Sequence, residues 1–436
     1  MKKAEIMKIV GQVIRSDCIN HDSKGRLYYF KSDDQVWKLL DAYETRQVIN
    51  LWSREFYREY LTHSELEYLR QELSEEPELL ATELDSPYYS TFIRTQNVRL
   101  DLKTLQTERP DKKFFDKIIL NFNYEPSTTI SENSAVAKFL KAALKTEVID
   151  PQRNRTVKSL FQSTAYVLSS VVNIKKAPIL LGAPNSGKSV WLDLCARIIG
   201  VENVRYLALQ DLTDKFRSGL LQGSRLVLCH EVRLGALKRL DIPKAIISGN
   251  PITIEAKGVQ PWTYTPDVKL MMATNALPTL GEIDAGGAFA DRLIVIPFHS
   301  HEGTNDPDML NKLYEERDAL FSVIFQTMPS FFENNMQLEE IEESKRILKE
   351  YRINGNPLTA FLTNTYDKGT EDDCISTKTL YEDYKIYCVN NVLPVCSISE
   401  FRPQLSQLGY YIRKRRIPGY RNPISTVSRL KAKQPE

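Results

Sequence analysis

The stretch KKAPILLGAPNSGKSVWLDLCARIIG, residues 175–200, decides how this chain is read. Its middle, Gly182-Ala183-Pro184-Asn185-Ser186-Gly187-Lys188-Ser189, fits the phosphate-loop pattern G-x-x-x-x-G-K-S/T. Such a pattern carries weight only when a strand enters it and a helix leaves it. Here "APILL" supplies the strand and "SVWLDLCARII" the helix, with Gly200 as its stop. Glycines let backbone N–H groups turn inward on phosphate oxygens, and the helix N-terminus adds the positive end of its dipole. Lys188 is then placed to reach the β and γ oxygens of a nucleoside triphosphate, and Ser189 to ligate magnesium. ATP and Mg2+ are the expected ligands. A chance glycine-rich turn is the alternative, and the flanking strand and helix count against it.

Outward from the loop, residues 179–298 alternate apolar runs with helical patterns. "PILLG", "RLVLCHEV", "KLMMATN" and "RLIVIPF" are short and continuously apolar, as strands buried on both faces of an α/β sheet should be. Three of these runs carry a polar residue at an end. Glu231 can polarise an attacking water and share the metal. Asn275 can orient that water or contact the γ-phosphate. Arg292 is either a surface ion-pair arginine or an arginine finger acting across a subunit boundary. His230 stands where an Asp usually precedes the Glu. His230-Glu231 does not open a zinc H-E-x-x-H motif, because the fifth position is Leu234. His230 reads as a neutral packed or bridging residue.

A length of 436 residues suffices for about three domains of roughly 150 residues. With 42% hydrophobic and 26% charged residues, the composition is that of an ordinary soluble globular protein. The net charge of +2 argues for no particular partner, but its distribution does. Acidic residues dominate from Glu59 to Asp85, whereas Arg402–Lys433 holds nine Lys/Arg and no Asp or Glu. That contrast suggests separate modules with different partners. The six cysteines form no C-x-x-C pair; Cys195 and Cys229 sit in apolar runs and read as small buried residues. The expectation is a reducing, cytoplasmic setting. No apolar run approaches the roughly 18 residues that span a bilayer, so no membrane partner is expected. The start, "MKKAEIMKIVGQVIRSD", reads as a short helix, not a signal peptide.

Before the loop, "RLYYF" is a strand candidate. From Ala42 to Leu73 apolar residues recur at helical spacing, with Trp52, Phe56, Tyr60, Leu66, Leu69 and Leu73 on one face. "FIRTQNVRLDLKTLQ" reads as a hairpin or turn around Asn97, closed off by "ERPDKKFF". Helical patterns cover 134–144, 157–172 and 308–350, and residues 358–430 form a smaller unit.

Together, GAPNSGKS, Glu231, Asn275 in "ATNALP" and Arg292 in "DRLIVIPF" resemble the superfamily 3 helicases, a branch of the AAA+ ATPases. The chain is similar in particular to the helicase portion of phage, plasmid and poxvirus primase-helicases, and to replication proteins of phage satellites and chromosomal islands. "RTQNVRLDLKTLQTERPDKKFFDKIILNFNYEP" is similar to the region preceding that family's ATPase core. "LYEDYKIYCVNNVLPVCSISEFRPQLSQLGYYIRKRRIPGYRN" is similar to its C-terminal winged-helix unit. The resemblance implies an α/β fold with an AAA+ P-loop ATPase core. Its divisions would be a mixed, mainly helical region over 1–150 serving assembly or DNA admission, the core over 151–305, a helical connector over 306–355 and a basic winged-helix-like unit over 356–436. Two departures stand out. His230 replaces the small or acidic residue usual before the Glu, and Asp291 stands where relatives often carry a first arginine. There is no room for a primase catalytic domain, so a separate primase or polymerase is an expected partner.

In that family a β-hairpin before the third motif points into a ring channel and grips single-stranded DNA. The matching region is "GNPITIEAKGVQPWTYTPDVKLMM", with strands "ITIEA" and "WTYTP" and Lys257-Gly258 in the turn. Lys257 would touch phosphate without regard to sequence, and Lys244 resembles a family lysine at the hairpin base. In "YYIRKRRIPGYR" a strand, a basic turn and a second strand read as a wing, along which Arg413, Lys414, Arg415, Arg416 and Arg421 would lie on duplex or origin DNA. An ordinary solvated charge run is the alternative. The function expected is an ATP-dependent, ring-forming DNA helicase, a homo-hexamer serving replication of a mobile element. Its rivals are an ATP-switched origin-melting or loader protein, and a DNA-binding initiator with an idle ATPase.

Overall fold

The computed structural model describes residues 3–31, 35–57, 61–84, 90–213, 221, 223–230, 240–256, 259–277, 287–300, 306–355, 357–391, 395–416 and 422–433. The chain opens with α1 (Lys3–Ser16), an antiparallel sheet of β1 (Ile19–His21), β2 (Leu27–Lys31) and β3 (Val36–Leu39), then α2 (Ala42–Tyr57) and α3 (His63–Glu75). The opening helix and the "RLYYF" strand are where the sequence put them. The helical stretch from Ala42 divides in two, because Thr62 caps a new helix: its N–H and hydroxyl donate to Glu65 Oε2 at 2.8 and 2.6 Å. Leu66, Leu69 and Leu73 are buried against Ile6, Ile9 and Val13, and Trp52 packs on this core. The side chains of Phe56 and Tyr60 lie outside the described residues.

Three short strands follow, β4 (Phe92–Arg94), β5 (Arg99–Asp101) and β6 (Thr107–Glu108), the first two closing around Asn97 as expected. Helices α4 (Ala135–Leu144) and α5 (Arg155–Leu168) are N-capped by Ser134 and Asn154, whose side chains accept from backbone N–H groups of the first turn.

The central sheet is parallel. It contains β7 (Ala177–Leu181), β8 (Val204–Tyr206), β9 (Leu226–Cys229), β12 (Lys269–Thr274) and β13 (Leu293–Pro297), in the spatial order β13-β7-β12-β9-β8. Between them come α6 (Lys188–Ile199), α7 (Asp241–Ser248) and the antiparallel hairpin β10 (Ile252–Ala256) and β11 (Val259–Tyr264). The four apolar runs are four of these strands. Their side chains alternate strictly between two cores. Leu180, Leu226, Leu228, Met271, Ala273, Ile294 and Ile296 face one way, toward α4, α5 and α6. Ile179, Val227, Cys229, Leu270, Met272, Leu293 and Val295 face the other, toward α7. Double-sided burial is why these runs lack the polar alternation of a half-exposed strand. The edge strand β8 escaped sequence reading, because Val-Arg-Tyr buries only its valine.

Four helices, α8 (Met309–Glu315), α9 (Arg317–Gln326), α10 (Met328–Glu333) and α11 (Glu342–Gly355), follow β13. The first three extend the core that already holds Ile93, Leu100 and Phe122 from before the loop. The last unit runs α12 (Pro357–Thr365), β14 (Tyr366–Lys368), β15 (Cys374–Ser376), α13 (Thr377–Asn390), α14 (Ile398–Gln407), β16 (Ile412–Arg415), β17 (Ile424–Ser428) and β18 (Leu430–Ala432). It has its own core around Phe361, Tyr384 and Phe401 and an antiparallel sheet ordered β15-β17-β16. Its second hairpin strand begins at Ile424, past the expected stretch, where β-branched residues resume. Cys195 and Cys229 are buried. Among the described residues no helix is long and apolar enough to cross a membrane.

Candidate active site

The loop 182–187 leaves the carboxyl end of β7, an interior strand, and runs into the 12-residue helix α6. Open parallel sheets bind ligands outside the carboxyl ends of their strands. Asn185 and Gly187 take left-handed backbone angles, φ 62° and 87°, which Asn tolerates and Gly adopts freely. Packing behind the loop demands the two pattern glycines. A Cβ at Gly182 would stand 1.9 Å from the Phe298 carbonyl oxygen, and one at Gly187 2.6 Å from Phe139 Cε2.

Lys188 is buried, and its Nζ donates to Gly182 O at 2.8 Å, Ala183 O at 2.7 Å and Ser186 Oγ at 3.0 Å. Burial lowers its pKa from the ordinary lysine value. All three acceptors are neutral, so an arriving phosphate would compete well for the ammonium, charge-assisted bonds being roughly twice as strong. Ser189 is exposed in the first turn of α6. Over the loop lies a cleft of about 490 Å³, walled opposite by Lys138, Phe139 and Ala142 of α4 and by Pro307 and Met309. That volume suits a small-molecule ligand. Beneath it Phe139, Trp191 and Phe161 stack nearly parallel, with centroids 6.1 and 6.4 Å apart, and Trp191 Nε1 donates to Thr164 Oγ1 at 3.0 Å. The stack fixes the start of α6 against α4 and α5.

Asn275 lies beside the loop. Thr274 pairs with Leu181, and Gly182 N–H donates to Thr274 O at 3.2 Å, so the next residue, exposed Asn275, emerges next to Gly182. His230 follows β9; its Nε2 is 3.2 Å from Asp193 Oδ1 on α6, and its ring centroid is 5.3 Å from that of Tyr206. Desolvation, then the Asp193 charge, raises the Tyr206 hydroxyl pKa. Asp193 was not singled out from the sequence, although it stands four residues after Ser189 and so one turn along the same helix face. Glu231 lies outside the described residues.

Arg292 is placed elsewhere. It precedes β13, whose Leu293 pairs with Ala177, the first residue of β7. Its Nε donates to Ser248 Oγ at 3.1 Å and its Nη1 to Ala288 O at 2.6 Å. The loop and Arg292 therefore occupy opposite ends of five-residue strands, about 16 Å apart at roughly 3.3 Å per residue. Lys244 lies on α7, the helix that ends in Ser248. The β10–β11 hairpin forms as expected, with Ala256 opposite Val259; its Lys257 and Gly258 lie outside the described residues. In the last unit Arg413, Lys414 and Arg416 are exposed on or beside β16, whereas Arg415 Nη1 donates to Glu371 O at 2.7 Å. Arg421 lies outside the described residues.

A family of unknown function, DUF5906, matches residues 180–292, the span from β7 to Arg292. No curated protein matches the chain. Among solved structures the fold is similar to an A-form apo structure of the C-terminal region of NrS-1, at 12% identity and a TM-score of 0.54, over 96% of this chain and 98% of that one. Another A-form apo structure of the NrS-1 C-terminal region matches at 13% identity, 0.49, 96% and 98%. At such identities the likeness concerns the fold alone.

Proposed function

We propose that the chain is an ATP-dependent motor of the AAA+ superfamily 3 kind, acting on DNA in replication as a ring-forming helicase. The observation that carries this is Lys188: a buried ammonium held, among the described residues, by three neutral loop oxygens, at the N-terminus of α6, facing a cleft of ligand size. The loop N–H groups and Lys188 would bind the β- and γ-phosphates. The site fits magnesium, because exposed Ser189 offers a hydroxyl oxygen and this ion takes few protein ligands and keeps its waters. Bound there, magnesium would draw charge off the phosphate oxygens. Asn275, next to Gly182, would orient the attacking water, with Glu231 as its base.

Arg292 supports the ring. It is too far from its own loop to neutralise charge there, and a neighbouring subunit's loop is the target left to it. The β10–β11 hairpin, with Lys257 at its turn and Lys244 near its base, would hold single-stranded DNA. The order of α12, β15, α13, α14, β16 and β17 supports a winged helix, with Arg413, Lys414 and Arg416 against duplex DNA. The test is strand displacement on forked DNA, with Lys188→Ala alongside. ATP-dependent unwinding that the substitution abolishes is expected. Hydrolysis stimulated by DNA without unwinding would favour a loader or origin-melting protein instead.

A further inference from the structure

His230 occupies the position before Glu231 where an acidic residue would accept a hydrogen bond from a water on the metal. An imidazole there needs a defined tautomer to do the same work. A neutral ring has one N–H donor and one lone-pair acceptor, and its neighbours decide which nitrogen is which. The Asp193 carboxylate, 3.2 Å from Nε2, favours the proton on that nitrogen. Nδ1 then carries the lone pair. The Tyr206 ring, 5.3 Å away by centroid, flanks the imidazole and limits its rotation.

We infer that Asp193 and His230 together replace the missing acidic residue: Asp193 sets the ring, and His230 Nδ1 accepts a hydrogen bond from a water bound to the magnesium that Ser189 holds. The placement supports this. Asp193 follows Ser189 by four residues on α6, which separates their Cβ atoms by about 5–6 Å. The pair therefore stands one helical turn from the hydroxyl that would take the metal. Neither side chain is committed to the core, with 29% of His230 and 38% of Asp193 exposed. Both residues are positioning residues, acting through water. The inference rests on the nucleotide-site reading above.

The experiment measures ATP affinity with and without Mg2+ for the wild type, His230→Ala, His230→Asp and Asp193→Asn, beside thermal melting without metal. His230→Ala is expected to bind metal-free ATP like the wild type and to melt alike, yet to lose about 10–100-fold of the Mg2+-dependent gain, the usual effect of removing such a partner. His230→Asp should restore the gain, and Asp193→Asn should lose part of it. An undiminished gain in His230→Ala overturns the inference, as does a loss that His230→Asp fails to recover. If the wild type binds no nucleotide with or without Mg2+, the phosphate-loop reading itself falls, which is a different result.

Discussion

Lys269, the first residue of β12, is 5% exposed; its Nζ donates to Val171 O at 2.5 Å and to Asn173 Oδ1, and lies 4.6 Å from the Tyr166 ring. Burial, then the Arg225 charge, pushes its pKa down to about 7. In the unfolded chain a lysine titrates near 10.4. Between those values the unfolded state binds a proton that the folded state does not, so stability should rise with pH from about 7 to about 10. Lys269→Met is expected to flatten that rise by up to about 1.4 kcal/mol per pH unit, read from urea midpoints between pH 7.5 and 9.5. Lys117, pushed down to about 8 mainly by burial, contributes a slope of the same sign that would remain. An unchanged slope would mean that Lys269 stays charged in the fold. At this scale the shape of the loop was legible, because its pattern is local: a strand, a glycine-bounded turn and a helix adjacent in the chain. The buried state of Lys269 and the Asp193 partner of His230 were not legible, since each depends on residues distant in the chain. Lys188→Ala follows from the local pattern: nucleotide affinity should drop while the melting temperature holds, because the lost bonds end on the loop itself.

Elements were legible in proportion to their burial. Strands β7, β9 and β13 are apolar throughout, and β12 is so between Lys269 and Thr274, because helices cover both faces, and the hairpins were marked by their turns. β8 was hidden because three residues at a sheet edge carry no period. The split between α2 and α3 lay in the Thr62 and Glu65 spacing, a capping signal inside a run of helical periodicity. The β16–β17 hairpin yields an element-scale prediction. Replacing Arg413, Lys414 and Arg416 together by serine should weaken duplex binding and reduce its log–log salt slope by about 2–3, near 0.9 per phosphate contact. Fluorescence anisotropy from 50 to 200 mM salt would measure it. A slope identical to the wild type would make this face an ordinary solvated surface. Arg415 is left out, since its bond to the Glu371 carbonyl helps hold the sheet edge.

For the whole molecule, the distance between Arg292 and the loop is the decisive quantity. A single chain has its 182–187 loop at one end of the sheet and Arg292 at the other, so the site proposed above would need two copies to be complete. Arg292→Ala should bind ATP but fail to hydrolyse it, and Lys188→Ala should bind it weakly and not hydrolyse it. Mixed, they should recover part of the hydrolysis, because the loop of the first can meet the arginine of the second. Normal hydrolysis by Arg292→Ala alone would remove the arginine from the mechanism and return it to its bonds with Ser248 and Ala288.

The stacked rings under the loop have an optical consequence. Trp191 has no exposed surface, and it stacks nearly parallel to Phe161 and to Phe139, the latter a wall of the cleft. An indole so shielded from water emits at short wavelength, and anything that presses on Phe139 changes the surroundings of the emitter. Trp37 and Trp52 pack in the N-terminal cores, away from this stack. Occupancy of the cleft can therefore be followed as a change in blue-edge fluorescence, with no dye attached to the protein or its ligand.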